Sequence, residues 1–381
     1  MPTRTVLAAL GAVVLIFTSS LALAADAGNA RVMTRNLYIG ADVFAALDVE
    51  TPDQIPFAAG AVLAEIIDSD FPARARVLAR EIQRTQPQVI GLQEVWDVNT
   101  LGTGPDLRID FLSLLQSELA SLGQKYEAAV VNTNVDVTLP VFLPDFGLFA
   151  GRITDRDVIL VRHNVGWSNP AAALYDTRIP TGFGFDIVRG WTSVDVTFGG
   201  NAYRFLNTHL EVQGFGNRAV QTFQAAELLG VMEFLKAAYG PLPEVVVGDF
   251  NSDPDDPPCG DPACGLFGVP TNPYDMLSEP AAPFFCRLDP GTDCFDGLTD
   301  AWTLRKNDRS SDGDTCCFDT LDAEEAGEVT RRVDLIWLRG AEARGATFRL
   351  TGDDPKRTTP EGLYGSDHLG VFGRMTLVPA Y

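Results

Sequence analysis

Histidine is nearly missing from this chain: three residues in 381, at positions 163, 209 and 368. Whatever imidazole chemistry the chain performs therefore runs through very few rings. Basic residues are also scarce, 29 Lys and Arg against 51 Asp and Glu, giving a formal charge of −22. That balance lacks the global basic footprint by which proteins grip duplex nucleic acid, although Arg331, Arg332, Arg344 and Arg349 leave room for a local patch. A solvated acidic surface that keeps the protein soluble accounts for the charge. Cysteine is absent outside one segment, since all six lie between Cys259 and Cys317. Past residue 24 no apolar run is long enough to span a bilayer.

The one long apolar run is at the start. Met1-Pro2-Thr3-Arg4 precedes an apolar stretch from Val6 to Leu23, broken by Thr18-Ser19-Ser20 and closed by Ala22-Leu23-Ala24. A basic start, a short apolar core and an Ala-x-Ala end predict a secretory signal over residues 1–24, cut after Ala24. A membrane anchor is disfavoured because the uninterrupted core is shorter than ~20 residues. The chain is thus expected to be exported, with one catalytic domain over 25–381: no fixed-period repeat occurs, and no boundary splits two cores. In an exported chain six clustered cysteines point to disulfides, with Cys259/Cys264 and Cys286/Cys294 as plausible pairs and Cys316-Cys317 adjacent. Zinc is the alternative, but no His lies near them in sequence and no Cys-x-x-Cys occurs. Bridges stapling a Cys-rich insertion loop, about 253–320, are the expectation.

Periodicity predicts a strand from Arg31 to about Ile39, helices over Pro52–Ile67 and Pro72–Arg84, and a strand over Val89–Val95. Asp106–Leu122 reads as a third helix. Strands are expected over Tyr126–Asn132, Arg156–Arg162, Gly190–Phe198 and Tyr203–Asn207. Asn217 is placed as the cap of a helix running to about Ala238, with Gln224 and Glu227 beside its apolar stripe and satisfied by a neighbouring loop. Asp253–Asp296 has no usable period. Strands resume at Val333–Leu338, Ala346–Thr351 and Gly370–Leu377.

Glu244-Val245-Val246-Val247-Gly248-Asp249-Phe250-Asn251 is the most informative stretch. An apolar strand delivers a carboxylate and a carboxamide, two residues apart, to one face at its end. Alone this is also an ordinary strand-to-turn exit. Its company decides: Asn36, Glu94, His209, Asp334, Asp367 and His368 mostly end other apolar runs. Strand ends on one sheet edge converge, which is where open α/β structures place ligands. Four carboxylates in one cleft repel unless a cation neutralises them, and oxygen donors suit Mg²⁺, with Mn²⁺ or Ca²⁺ as alternatives. Glu94 is the expected direct ligand. Asp334 and His368 form a plausible carboxylate–imidazole pair. His163 reads as a surface residue at a strand end.

Thr34-Arg35-Asn36, Gln93-Glu94, Thr208-His209-Leu210, Gly248-Asp249-Phe250-Asn251, Asp334 and Ser366-Asp367-His368, in this order, resemble the endonuclease/exonuclease/phosphatase superfamily. The resemblance spans the mature chain and implies a four-layer α/β sandwich: two packed mixed β-sheets flanked by helices, as in DNase I-like proteins. It implies that Asn36 and Glu94 bind a metal completed by Asp367. Asp249 would orient or deprotonate the attacking water, Asn251 would stabilise the phosphorane-like state, and His209 would protonate the leaving oxygen or contact the phosphate. Asp334 would hold His368 as general base or phosphate contact. A His at 209 disfavours an apurinic repair role.

Two departures stand out. Tyr38 occupies a position where some relatives carry a metal-binding carboxylate, for which Asp42 is a candidate substitute, and Asp155-Arg156-Asp157 has no assignable role. The expected activity is a secreted, metal-dependent phosphodiesterase, hydrolysing by direct attack of water and acting as a monomer. Nucleic acid, as for a DNase I-like nuclease, and a phospholipid head group, as for a sphingomyelinase-like enzyme, are both open as substrate. For the second, Pro283-Phe284-Phe285 and the stretch Val141 to Phe149 are candidate membrane contacts. A non-enzymatic binding module predicts missing site residues, and none is missing.

Overall fold

Strands whose two faces are both buried dominate this protein, and their alternation explains its layers. The computed structural model describes residues 29–213, 218–266, 272–278, 297–306 and 311–380. The chain opens with β1 (Asn29–Asn36), then α1 (Ile55–Asp68) and α2 (Phe71–Thr85), and returns as β2 (Val89–Gln93) parallel to β1. Short strands β3 (Asp97–Leu101) and β4 (Arg108–Asp110) lead into α3 (Phe111–Ser121). A long hairpin follows, β5 (Tyr126–Leu143) and β6 (Gly147–Arg162), then β7 (Trp167–Leu174) and the small ribbon β8 (Ile179–Pro180) with β9 (Asp186–Ile187). Next come β10 (Gly190–Phe198), β11 (Asn201–His209), α4 (Arg218–Tyr239) and β12 (Glu244–Asp249). Short helices α5 (Pro262–Leu266) and α6 (Pro273–Ser278) precede β13 (Thr299–Asp300), β14 (Asp334–Arg339), β15 (Ala341–Thr351) and β16 (Gly370–Pro379).

Eight strands form one sheet, in the order β15-β16-β1-β2-β6-β3-β4 with β5 also on β6, and six form a second, β13-β14-β12-β11-β10-β7. Successive side chains on a strand point to opposite faces. On β1 and β2, Val32 and Val89 enter the core between the sheets, whereas Met33, Ile90 and Leu92 face the helices α1 to α3. On β11 and β12, Phe205, Val245 and Val247 enter the same central core, whereas Leu206 and Val246 face α4 and α6. Helices, sheet, sheet, helices: the expected four-layer α/β sandwich is the fold. At Gly91 the sheets meet so closely that a Cβ would come within 2.5 Å of Asn207 Oδ1 and of Val247 Cγ2.

The structure corrects several boundaries. The third helix starts at Phe111, not Asp106, because Arg108–Asp110 pairs with β3 and the Asp110 carboxylate accepts from Ser113 N and Oγ as the cap. The β5 and β6 strands run far past Asn132 and start well before Arg156. The Cys-rich segment is not wholly a loop: Thr299–Asp300 joins the second sheet beside β14, and Trp302 packs into the central core. Cys259 and Cys264 are bridged, with S–S 2.12 Å, and Cys316 is joined to Cys317. The signal peptide, Asn217, Cys286, Cys294 and Pro283-Phe284-Phe285 lie outside the described residues. Among the described residues no helix is long and apolar enough to cross a membrane.

Candidate active site

Parallel pairing puts the ends of β1 and β2 side by side, with Asn36 opposite Gln93, and the ends of β11 and β12, with His209 opposite Asp249. Antiparallel β14 then sets Asp334 opposite Asp249. His209, Asp249 and Asp334 are thus one rung across three neighbouring strands. The turn before β16 brings Asp367 and His368 to the same edge, where Ser366 Oγ donates to Asn36 O at 2.9 Å. All eight residues singled out in the sequence converge here.

Asn36 Nδ2 donates to Glu94 Oε1 at 3.1 Å and to Asp249 Oδ2 at 2.9 Å. The second oxygen of Glu94 accepts from Ile39 N and Trp96 Nε1, each at 3.2 Å. Glu94 and Asn251 both hold positive φ, 55° and 50°, a sparsely populated conformation for residues with a Cβ and one common at functional sites. His368 Nδ1 lies 2.8 Å from Asp334 Oδ2, and its Nε2 lies 3.7 Å from Asp249 Oδ2. Arg35, itself paired with Glu81, donates to the His368 carbonyl, and Arg74 donates to Leu37 O, Tyr38 O and Gly365 O, tying both loops of the site together.

These neighbours set three different proton affinities. Burial pushes the His368 imidazolium down, but Asp334 and Asp249 outweigh it and hold the ring charged. Burial, then the Arg189 and His368 charges, push His209 well below its ordinary value, so that ring is neutral. Asp249 is pushed up to about 7, chiefly by burial and against the pull of His368. One cationic imidazole, one neutral one and a carboxyl near neutrality share a space a few ångströms across.

His209 also has a defined tautomer. Arg189 Nη1 sits 3.1 Å from its Nδ1, and a guanidinium can only donate, so Nδ1 accepts and the ring proton is on Nε2. Asn251 Nδ2 lies 3.1 Å from that Nε2 while donating to Leu210 O at 2.9 Å. The Leu210 carbonyl forbids the flipped amide, which would place oxygen against oxygen. Two N–H donors therefore stand side by side, and the carboxylate oxygen facing them, Asp249 Oδ2, lies 3.6 Å from His209 Nε2, beyond hydrogen-bond distance.

Sequence reasoning missed what holds His209 in place. Arg189 grips Glu211 with both Nε and Nη2, at 3.3 and 3.2 Å, and faces Asp155 at 3.7 Å. Asp155 and Asp157 both accept from Asn134 Nδ2, at 3.0 and 2.9 Å, so the unassigned Asp-Arg-Asp run is a buried support beneath the site. Burial raises Asp155 to about 6, and burial plus the Asp155 charge raises Asp157 further. A carboxyl raised in the folded state contributes stability at acid pH that is lost as pH climbs from about 4 through its folded pKa. Asp157→Asn is accordingly expected to leave the melting temperature at pH 4 little changed and to raise it at pH 8, by roughly 2–4 °C per kcal/mol of charge burial relieved. Thermal melts at the two pH values test this, and a lower melting temperature at pH 8 would overturn it.

Other expectations divide. Glu227 accepts from Asp176 N and Thr177 N, and Gln224 bridges Glu211 N to Thr177 O, so both are satisfied by loop backbone as expected. His163 is exposed in the turn after β6. Asp42 is exposed, its Oδ1 accepting from Phe44 N, and it lines the same cavity as Glu94 and Asp367. In the stretch from Val141 to Phe149 the ends are buried, whereas Phe146 and Leu148 are 46% and 62% exposed.

Residues 67–368 match the Endonuclease/Exonuclease/phosphatase family. The chain belongs to this family. Among solved structures it is similar to a mannosyl-6-phosphatase from Bacteroides thetaiotaomicron, with TM-score 0.53 and 17% identity over 92% of this chain and 99% of the other. It is also similar to an endonuclease/exonuclease/phosphatase family protein from the same organism, with TM-score 0.50 and 16% identity over 91% and 97%. Truncated TDP2 from Caenorhabditis elegans gives 0.49 at 14% identity, over 91% and 97%. At these identities the likeness is one of fold. No curated protein matches the chain in sequence.

Members of the family are hydrolases of phosphoester bonds, and the family generally uses divalent metal ions. The donors at this edge fit such an ion. Asp367 is pushed up to about 6 by burial, with Glu94 adding to the rise, which marks two carboxylates facing one space. Ligand atoms of Asp249, Asp334 and His368 also lie within 4.8 Å of one another, and Asp334 Oδ1 is buried without a partner. Asn36 alone is turned away from ligation, its Oδ1 accepting from Tyr38 N at 2.9 Å. Cys316 and Cys317 also come within 4.8 Å of His368, but their sulfurs are bonded to each other, which leaves no thiolate for zinc.

Proposed function

We propose that the chain is an exported phosphodiesterase, a single catalytic domain over residues 25–381 freed by cleavage after Ala24 and working as a monomer. The side-by-side donors, His209 Nε2–H and the second hydrogen of Asn251 Nδ2, whose first is taken by Leu210 O, carry this reading, because a phosphoryl oxygen can accept from both. Glu94 and Asp367, with Asn36 once its amide turns, would hold the divalent cation. Bound there, that ion, with Mg²⁺ the best match and Mn²⁺ or Ca²⁺ as alternatives, supplies positive charge against the phosphoryl group and the carboxylates.

The chain's own groups divide the remaining work. Asp249 orients a water and takes its proton as the water oxygen bonds to phosphorus. The bond from phosphorus to the departing oxygen breaks, and that proton returns through solvent to the alcohol, leaving a phosphomonoester. Asn251 and His209 donate to the developing charge. His368, kept cationic by Asp334, contacts the phosphate, since a ring already protonated is no general base; the neutral His209 is likewise a donor and no general acid.

Purified mature protein with Mg²⁺ is expected to cleave bis-p-nitrophenyl phosphate, with plasmid DNA and sphingomyelin as the discriminating substrates. His209→Ala and Asn251→Ala should each lower kcat by about 10²–10³-fold, as for removal of one oxyanion donor. No turnover of any substrate by the unaltered protein sinks the reading.

A further inference from the structure

A cavity of about 360 Å³ opens beside Asp249, and its two ends differ in chemistry. One end is the site itself, with His209, Asp249, Asn251, Asp367 and His368. The rest is walled mainly by apolar side chains, among them Val43, Leu47, Val62, Val137, Leu139 and Ile153, with Asp42, Asn99, Thr100 and Arg152 as polar points in the wall. We propose that this pocket takes the hydrocarbon part of the substrate, making it a phosphodiester of a single-chain amphiphile whose phosphate and chain lie in one continuous cavity. The assignment rests on the phosphodiesterase reading and narrows it.

Alternation along β5 carries the argument. Val135, Val137, Leu139 and Val141 all line the pocket, whereas Asp136, Thr138 and Pro140 between them are exposed. An inward row of this kind normally packs against a core, yet Val135, Val137 and Leu139 are only half-buried, as are Val43, Leu47 and Ile153 on the other walls. Apolar surface facing an open cavity that is continuous with a reactive centre is a place for an apolar ligand. The cations of the pocket do not invite a polyanion instead. Arg152 is held by Asp136 and Arg189 by Glu211. At about 30 Å³ per water-sized group, the space beyond the phosphate holds a chain of about eight carbons. The same hairpin wall continues to its turn, where Phe146 and Leu148 are exposed, so the pocket's apolar side leads to an apolar tip.

Two measurements test the pocket separately from the chemistry. Calorimetry compares methylphosphonate with octylphosphonate, which cannot be hydrolysed at phosphorus, and kinetics with Mg²⁺ compare methyl with octyl p-nitrophenyl phosphate. Each buried methylene is expected to tighten binding about fourfold, and the octyl compound to be favoured at least a hundredfold over the methyl in both assays. Val137→Asp and Leu139→Asp change half-exposed positions and should fold, as melting curves will show; each is expected to bring the octyl-to-methyl ratio within about threefold of unity. Equal binding of the two phosphonates by the unaltered protein overturns the pocket assignment, whatever the turnover. Tight octylphosphonate binding with no ester hydrolysed overturns the hydrolase reading and supports the pocket. Octylphosphonate presented below its micellar range and in phosphatidylcholine vesicles separates a free amphiphile from a membrane-held one: seating of the chain requires that the monomeric form bind, and binding only to vesicles overturns it.

Discussion

Asp249→Asn should abolish nearly all turnover, lowering kcat by about three orders of magnitude, while leaving the melting temperature at pH 8 unchanged or higher. Loss of a positioned general base costs roughly 10²–10⁴-fold. The stability half of the expectation comes from the same burial. Asp249 is fully enclosed and its carboxyl is raised to about 7, so above that pH the folded protein carries an ionised group it would hold more cheaply as an acid. An isosteric amide removes that cost. A residue whose removal destroys activity without harming the fold is one retained for chemistry. Turnover within tenfold of the unaltered enzyme would remove Asp249 from the role of base. A fall of several degrees in melting temperature would show that it supports the fold instead.

Arg189→Met is expected to be the most damaging single change away from the reacting groups, costing about 3–5 kcal/mol of stability in urea titration. Glu211 is buried with its carboxylate held by two guanidinium nitrogens, and Asp155 faces the same cation, so truncation strands two buried anions. The double variant Arg189→Met/Glu211→Met removes the main stranded charge and should regain most of the stability. Activity should not return with it, because His209 then lacks the donor that fixes its proton on Nε2. Full activity in the stable double variant would refute the positioning role. Arg189→Lys sharpens the test: a point charge cannot span Glu211 and His209 in the same fork, so partial stability with reduced kcat and little change in KM is expected.

Asp249, Asn251, Glu94 and His209 were legible in the sequence because each stands at the end of an apolar run, and strand ends of one sheet gather at one edge. Arg189 was not. It is a single arginine before a strand, indistinguishable by type or spacing from a surface arginine, and its burial depends on Glu211, just past β11, and Asp155 of β6 arriving beside it. Arg74 escaped for the same reason, and Arg35, though part of the Thr34-Arg35-Asn36 motif, gave no sign of what it holds. Their bonds to the carbonyls of residues 37, 38, 365 and 368 exist only after the chain has closed on itself. The long β5–β6 hairpin was legible only in part, since Pro140, Pro144 and the aspartates Asp136 and Asp145 read as punctuation. What sustains it is sixteen paired positions along β6, a property of two segments together. The four layers came through by resemblance, since the ordered motifs from Asn36 to His368 imply the sandwich, whereas periodicity alone gave separate strands and helices.

That double burial limits how the protein can vary. In β1, β2, β11 and β12 a one-residue insertion would exchange the helix-facing and sheet-facing sets wholesale and turn Asn36 or Asp249 away from the edge. The interior is thus frozen in length as well as in composition. The turn of the β5–β6 hairpin, from Pro144 to Leu148, has no such constraint, because Phe146 and Leu148 there are exposed. It can be shortened, widened or exchanged while the catalytic rung stays put, which makes it the part of this scaffold on which new specificities can be grafted.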